Sequence, residues 1–115
     1  MATSNIPLNK FRLLSQNLVS GSNLIYSSSI DVSTIVLSTQ ITNIVDTNKS
    51  VSVLVQRSGS NSQIALIKDA IIPPNESLNP LSGKLVLERY DQFIMTTNSG
   101  STLDVVLSVL ENANN

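Results

Sequence analysis

Two carboxylates, Glu88 and Asp91, have a spacing that could support chemistry. They stand three positions apart in KLVLERYDQF, residues 84–93, with Arg89 between them and Lys84 at the start. Two carboxyl groups beside a cation can divide the roles of proton donor and proton acceptor, as general acid–base catalysis requires. The rest of the chain supplies little to support such a centre. It contains no histidine and no cysteine. An imidazole base, a Ser-His-Asp triad and a Cys/His zinc site are therefore excluded. The other six carboxylates, Asp31, Asp46, Asp69, Glu76, Asp104 and Glu111, are dispersed over predicted turns and outward strand positions. No D-x-D-x-D-G run forms a calcium loop, and no glycine-rich run cradles a phosphate. The sequence assigns no catalytic, metal-ligating or cofactor-binding residue.

A structural account of the same stretch competes with the chemical one. Leu85 and Leu87 are spaced to face inward on a strand, and Phe93 and Met95 do the same on a returning strand. Glu88 to Asp91 then falls where a hairpin must turn in water. An aspartate caps such a turn with its own carboxylate. Arg89 would pair with Glu88 or Asp91 at the surface, worth roughly 0–1 kcal/mol. A contact patch for a partner subunit is the third reading of the cluster.

Positioning elements follow from composition and periodicity. At 115 residues the chain is one domain, long enough for a single core without cross-links. Val, Ile and Thr fill 30 positions and favour strands. Ser, Thr and Asn fill 40 and favour turns and uncharged sheet faces. Strands are expected at 24–27, 33–44, 51–57, 64–70, 85–87, 92–97 and 102–111, separated by turns such as DTNKS, SGSNS and NSGS. Strict alternation puts Ile35, Leu37 and Ile41 on one face, and likewise Val51, Val53 and Val55, then Ile64 and Leu66, then Leu103, Val105, Leu107 and Val109. The expected fold is all-β: one antiparallel β-sandwich or jelly-roll-like barrel of seven to eight strands over residues 23–111. An N-terminal arm, 1–22, precedes it and a flexible tail, 112–115, follows.

Two apolar stretches are candidate contacts. The arm carries Phe11, Leu14 and Leu18. It could form a short helical turn, lie on its own domain as a first strand or helix, or insert into a neighbour. The loop IIPPNESLNPLSG, 71–83, carries Ile72, Pro73, Pro74, Leu78 and Leu81. It could be a crossover between sheets or a preordered docking loop. Net charge is −1, and no Lys/Arg run exists to neutralise phosphates, so neither nucleic acid nor a membrane is an expected partner. No stretch reaches the roughly 18 apolar residues of a membrane span. The N-terminus lacks the pattern of a signal peptide, so synthesis in the cytoplasm is expected.

The series IPPNESLNPLSGKLVLERYDQFIMTTNSGSTLDVVLSVLE, residues 72–111, resembles small virion proteins of tailed bacteriophages. In that group a proline loop and a Leu-x-Gly-Lys-hydrophobic-Val-Leu stretch precede an Asp turn, matched by Leu81 to Leu87 and Asp91. A Leu-Asp-Val-hydrophobic-Leu-Ser-hydrophobic-Leu-Glu strand ends the domain, matched by Leu103 to Glu111. Tyr90 stands where the pattern has a small residue, often glycine. STIVLSTQITN, 33–43, extends the resemblance more weakly. It implies an accessory β-sandwich of head, neck, tail or baseplate, located in the virion, homo-oligomeric and bound to other virion proteins. It implies no catalytic residue. The alternative is a glycan- or receptor-binding module of a phage fibre. The scarcity of aromatic residues, four in all, counts against that alternative. A small hydrolase is third.

Overall fold

The computed structural model describes residues 8–29, 32–81 and 83–113. Among these residues nine strands run in chain order: β1 (Leu8–Asn17), β2 (Gly21–Ser27), β3 (Val32–Asn43), β4 (Lys49–Gln56), β5 (Gln63–Ile72), β6 (Ser77–Leu78), β7 (Leu85–Leu87), β8 (Gln92–Thr97) and β9 (Leu103–Ala113). Every pairing is antiparallel. One sheet has the order β1-β9-β3-β6, with β7 also on β3; the other is β2-β8-β4-β5. With β6 and β7 taken as two pieces of one strand, the path is that of a jelly roll, two Greek keys wrapped into a two-layer sandwich. The expected all-β sandwich is the observed fold.

The core fills the space between the sheets. Val36, Ile41, Leu87, Val105, Leu107 and Val109 enter from the first sheet, and Val51, Val53, Phe93 and Met95 from the second. Each such side chain contributes roughly 1.5–3 kcal/mol when fully withdrawn from water. Alternation on β4, β8 and β9 places Val51, Val53, Val55, Phe93, Met95, Leu103, Val105, Leu107 and Val109 inward, as their spacing requires.

On β3 and β5 strict alternation fails, for one physical reason. The β3–β9 register shifts between Val36 and Ser38, so Leu37 is an extra residue. A bulge puts two residues opposite one and reverses which parity faces the core. Thr34 and Val36 are inward before it, Thr39, Ile41 and Asn43 after it; Ile35 and Leu37 are not. β5 shifts twice against β4, and Asp69 takes φ 51°. Ile67 and Ile72 turn towards the core, while Ile64 and Leu66 are exposed.

The expected arm is part of the sandwich. Leu8–Asn17 pairs residue for residue with β9, and Leu18 lies in the core. Residues 1–7 of that arm and 114–115 of the expected tail lie outside the described residues. β9 itself runs on to Ala113.

Candidate functional site

The charged cluster of 88–91 is a turn, but not a hairpin. β7 pairs with β3, and β8 with β2 and β4, so the turn carries the chain from one sheet to the other. The Asp91 amide donates to the Glu88 carbonyl at 3.0 Å, closing a four-residue turn. Asp91 itself is 2% exposed. Its carboxylate accepts from the amides of Glu88 (2.9 Å) and Ser58 (3.0 Å) and from the Arg57 guanidinium (3.1 Å). Burial alone would raise its pKa. The two amides, then the guanidinium, outweigh burial and hold it below the usual carboxylate value. A general acid needs the opposite shift, and a base needs an oxygen free to receive a proton; both oxygens are occupied. The cation is Arg57, from the β4–β5 loop, not Arg89. The Arg89 guanidinium instead lies 5.8 Å from the centre of the Tyr90 ring.

A second polar cluster, at the same end of the sandwich, joins residues far apart in sequence. The Tyr26 hydroxyl donates to Glu111 and lies 3.0 Å from the Thr34 hydroxyl; Arg12 also binds Glu111, at 3.1 Å. Burial first, and the Glu111 carboxylate second, push the Tyr26 pKa up to about 12. Such a tyrosine holds its proton and cannot serve as a base at neutral pH. Sequence reading missed this cluster. Its one signal was a pair of charges, Arg12 and Glu111, inside otherwise apolar strand patterns. Among the described residues no group of three carboxylates is placed to hold a metal ion.

The contact candidates divide by burial. Phe11 is 74% exposed, on the outer face of β1. Leu14 faces inward, half-buried, beside a cleft of about 150 Å³ that also touches Ile25, Val105 and Leu107. Leu18 and Ile72 are fully buried in the domain's own core, so they hold the fold and present nothing outward. Pro73 is exposed and Pro74 half-buried; Leu78 and Leu81 pack on the core from the side. The proline segment is thus a crossover: Ile72 leaves the second sheet, Pro73–Glu76 turns, and Ser77–Leu78 joins β3 of the first. Its turn has Pro74 followed by Asn75 at φ 61°, which suits the type II geometry.

The surface that the structure assembles lies elsewhere, on the two outer sheet faces. Across the first sheet, Phe11 stands opposite Leu110, Leu110 opposite Ile35, and Ile35 opposite Val86. These four side chains form one apolar row over four strands. Leu13, 70% exposed, lies beside it. Across the second sheet, Leu24, Ile94, Leu54 and Ala65 form an equivalent row. Of the rows flanking it, Gln92–Gln56–Gln63 carries no charge, and Ser22–Thr96–Ser52 meets one, Asp69, at its β5 end. Most of these residues were invisible to sequence reading because they are the off-phase positions of strands whose other phase fills the core.

An open mouth of about 600 Å³ lies between β5 and β7, walled by Val55, Ile64, Leu66, Leu85 and Val86. Its rim cation, Arg57, is already paired with Glu88 and Asp91. No convergent polar groups remain to orient a small ligand.

The sequence matches no protein-family model and no curated protein. The fold does have solved counterparts. A subunit of Bacillus endospore appendages, described as disulfide-linked pili, superposes with TM-score 0.57 at 10% identity, over 99% of this chain and 96% of that one. The Drosophila NLP core, studied for pentamer formation and histone binding, gives 0.51 at 14% identity, over 87% and 96%. VP2 of infectious bursal disease virus, from a subviral particle, gives 0.54 at 10% identity, over 99% of this chain and 34% of VP2. At these identities the likeness shows a shared fold.

Proposed function

We propose that this chain is a non-catalytic structural subunit that assembles in several copies through its outer sheet faces. One observation carries the reading: each sheet has an apolar row, four strands wide, along its outer face, exposed at its ends (Phe11 and Val86; Leu24 and Ala65) and half-buried or buried between them. Exposed apolar area of this kind, rimmed by polar groups, marks a protein–protein contact. The second sheet's row is bordered mostly by Ser, Thr and Gln, and net charge is −1, so repulsion between copies is small.

The solved counterparts support the reading by what they are: a pilus subunit, a pentamer and a capsid protein all use this fold in assemblies. Two particulars do not carry over. The chain has no cysteine, so its contacts are not disulfide-linked. It also has no acidic run that would attract a histone. The string likeness of residues 72–111 to small virion proteins narrows the setting to a tailed-phage particle, at the neck, the tail and baseplate or the capsid surface, with other virion proteins as neighbours.

Sedimentation over a wide concentration range tests the core of this reading. Species at multiples of 12.4 kDa are expected. A monomer at every concentration, and no density for the chain in purified phage particles, would sink it.

A further inference from the structure

The four sheet edges differ in how they meet solvent. β2 is bulged between Leu24 and Tyr26. β5 is displaced twice, with Asp69 in the left-handed region. β6 and β7 are two and three residues long. Bulges and short edges are the devices by which sheet proteins block the addition of another strand. β1 has neither. It runs ten residues without proline, pairs one for one with β9 without a register shift and, among the described residues, has no strand on its other side. Its Phe11 and Leu13 are the most exposed large hydrophobic residues among those described.

An unbulged strand of this length offers a ladder of unpaired amides and carbonyls to any extended segment. Side chains select the occupant. Directly opposite residues in an antiparallel pair share a face and come within about 5 Å. β1 carries two cations, Lys10 and Arg12, and no acid. Against a second β1, a two-fold axis at Arg12 would put arginine against arginine, and one at Phe11 would put Lys10 against Arg12. An axis at Leu13 sets Leu13 against Leu13, Arg12 against Leu14, Phe11 against Ser15 and Lys10 against Gln16. An axis at Leu14 also avoids like charges, but pairs fewer residues and leaves Leu13 against serine.

We infer that β1 joins β1 of a second copy of this chain, antiparallel about a two-fold axis at Leu13, merging two β1-β9-β3 sheets into one continuous sheet. The inference rests on the self-association proposed above and adds a sheet edge to the outer faces as a contact. It closes a two-fold dimer by isologous contact, and leaves both outer faces free for other neighbours.

Because the chain has no cysteine, single thiols report distance cleanly. Leu13→Cys should form a covalent dimer on mild oxidation, since its Cβ would lie near its symmetry mate. Gln63→Cys, on the β5 edge, should oxidise to dimer at least about tenfold more slowly. Leu13→Lys should weaken dimerisation at least about tenfold by sedimentation, with circular dichroism unchanged. If the native chain associates but Leu13→Cys cross-links no faster than Gln63→Cys, strand pairing is refuted and the broader reading survives. If the native chain never associates, both fall. The cysteine variant keeps the question answerable should the lysine variant misfold.

Discussion

The carboxylate of Asp91 accepts a 3.0 Å hydrogen bond from the backbone amide of Ser58, 33 residues earlier in the chain. Through it the loop after β4 is fastened to the turn before β8, and the turn's own Glu88 amide and the Arg57 guanidinium complete the set. Asp91→Ala leaves two inward amides without an acceptor. Unpaired buried donors cost about 1–3 kcal/mol each in mutational series, and water entering the loop would recover part of that. A loss of about 2–3 kcal/mol is expected from urea unfolding. Asp91→Asn should lose somewhat less, because one oxygen remains while its NH₂ group faces a donor.

The same contacts make stability depend on acid. Asp91 has a folded-state pKa below its unfolded value. Its stabilisation is therefore complete above the unfolded value of about 4 and is lost as pH falls from there through the folded pKa. The native protein should lose more stability between pH 5 and 2, on the order of those limits, than Asp91→Asn does. Parallel pH curves for the two proteins would show that Asp91 does not carry the effect.

Tyr90 adopts φ 65° at the third position of the 88–91 turn, and Arg89 before it is not left-handed. That combination defines a type II turn, which favours glycine at this place. A side chain held there costs about 1–2 kcal/mol. Glycine's extra freedom in the unfolded chain takes back about 0.5–1 kcal/mol. Tyr90→Gly should raise stability by about 0.5 kcal/mol, read from the urea midpoint at unchanged slope. A clear loss would mean that the Arg89–Tyr90 contact outweighs the strain.

How much of this was legible in the sequence follows from where local rules govern. β4, β8 and β9 keep their period of two, so their core residues were readable. β3 and β5 contain bulges, and a bulge leaves no fixed residue signature when the extra positions are Leu37 and residues around Asp69. The proline segment read as a crossover or a docking loop, and its Pro74–Asn75 pair fits the turn observed. The arm read ambiguously because the inward leucine Leu14 directly follows two outward apolar residues, Phe11 and Leu13. Asp91 was recognisable as a turn residue. Its partner Arg57 was not, since only the jelly-roll path brings the β4–β5 loop to that turn. The outer rows needed the register of three pairings each, which no local window contains.

Tyr26 gives the alkaline counterpart of Asp91. Its hydroxyl is buried and donates to Glu111, and its pKa rises to about 12. A folded-state value above the unfolded one favours the protonated native form, so this stabilisation is complete below about pH 10 and is lost as pH climbs through about 12. Phenolate absorbance in a titration of the native protein should therefore include a late step near pH 12, accompanied by loss of the β-sheet circular dichroism signal. Tyr26→Phe should abolish that step. It should also leave Glu111 with Arg12 as its remaining partner, and lower stability at neutral pH by about 1.5–3 kcal/mol, the contribution of a hydrogen bond to a charged group. A late step that persists in Tyr26→Phe would place the high-pH titration elsewhere and remove Tyr26 from the account of alkaline unfolding.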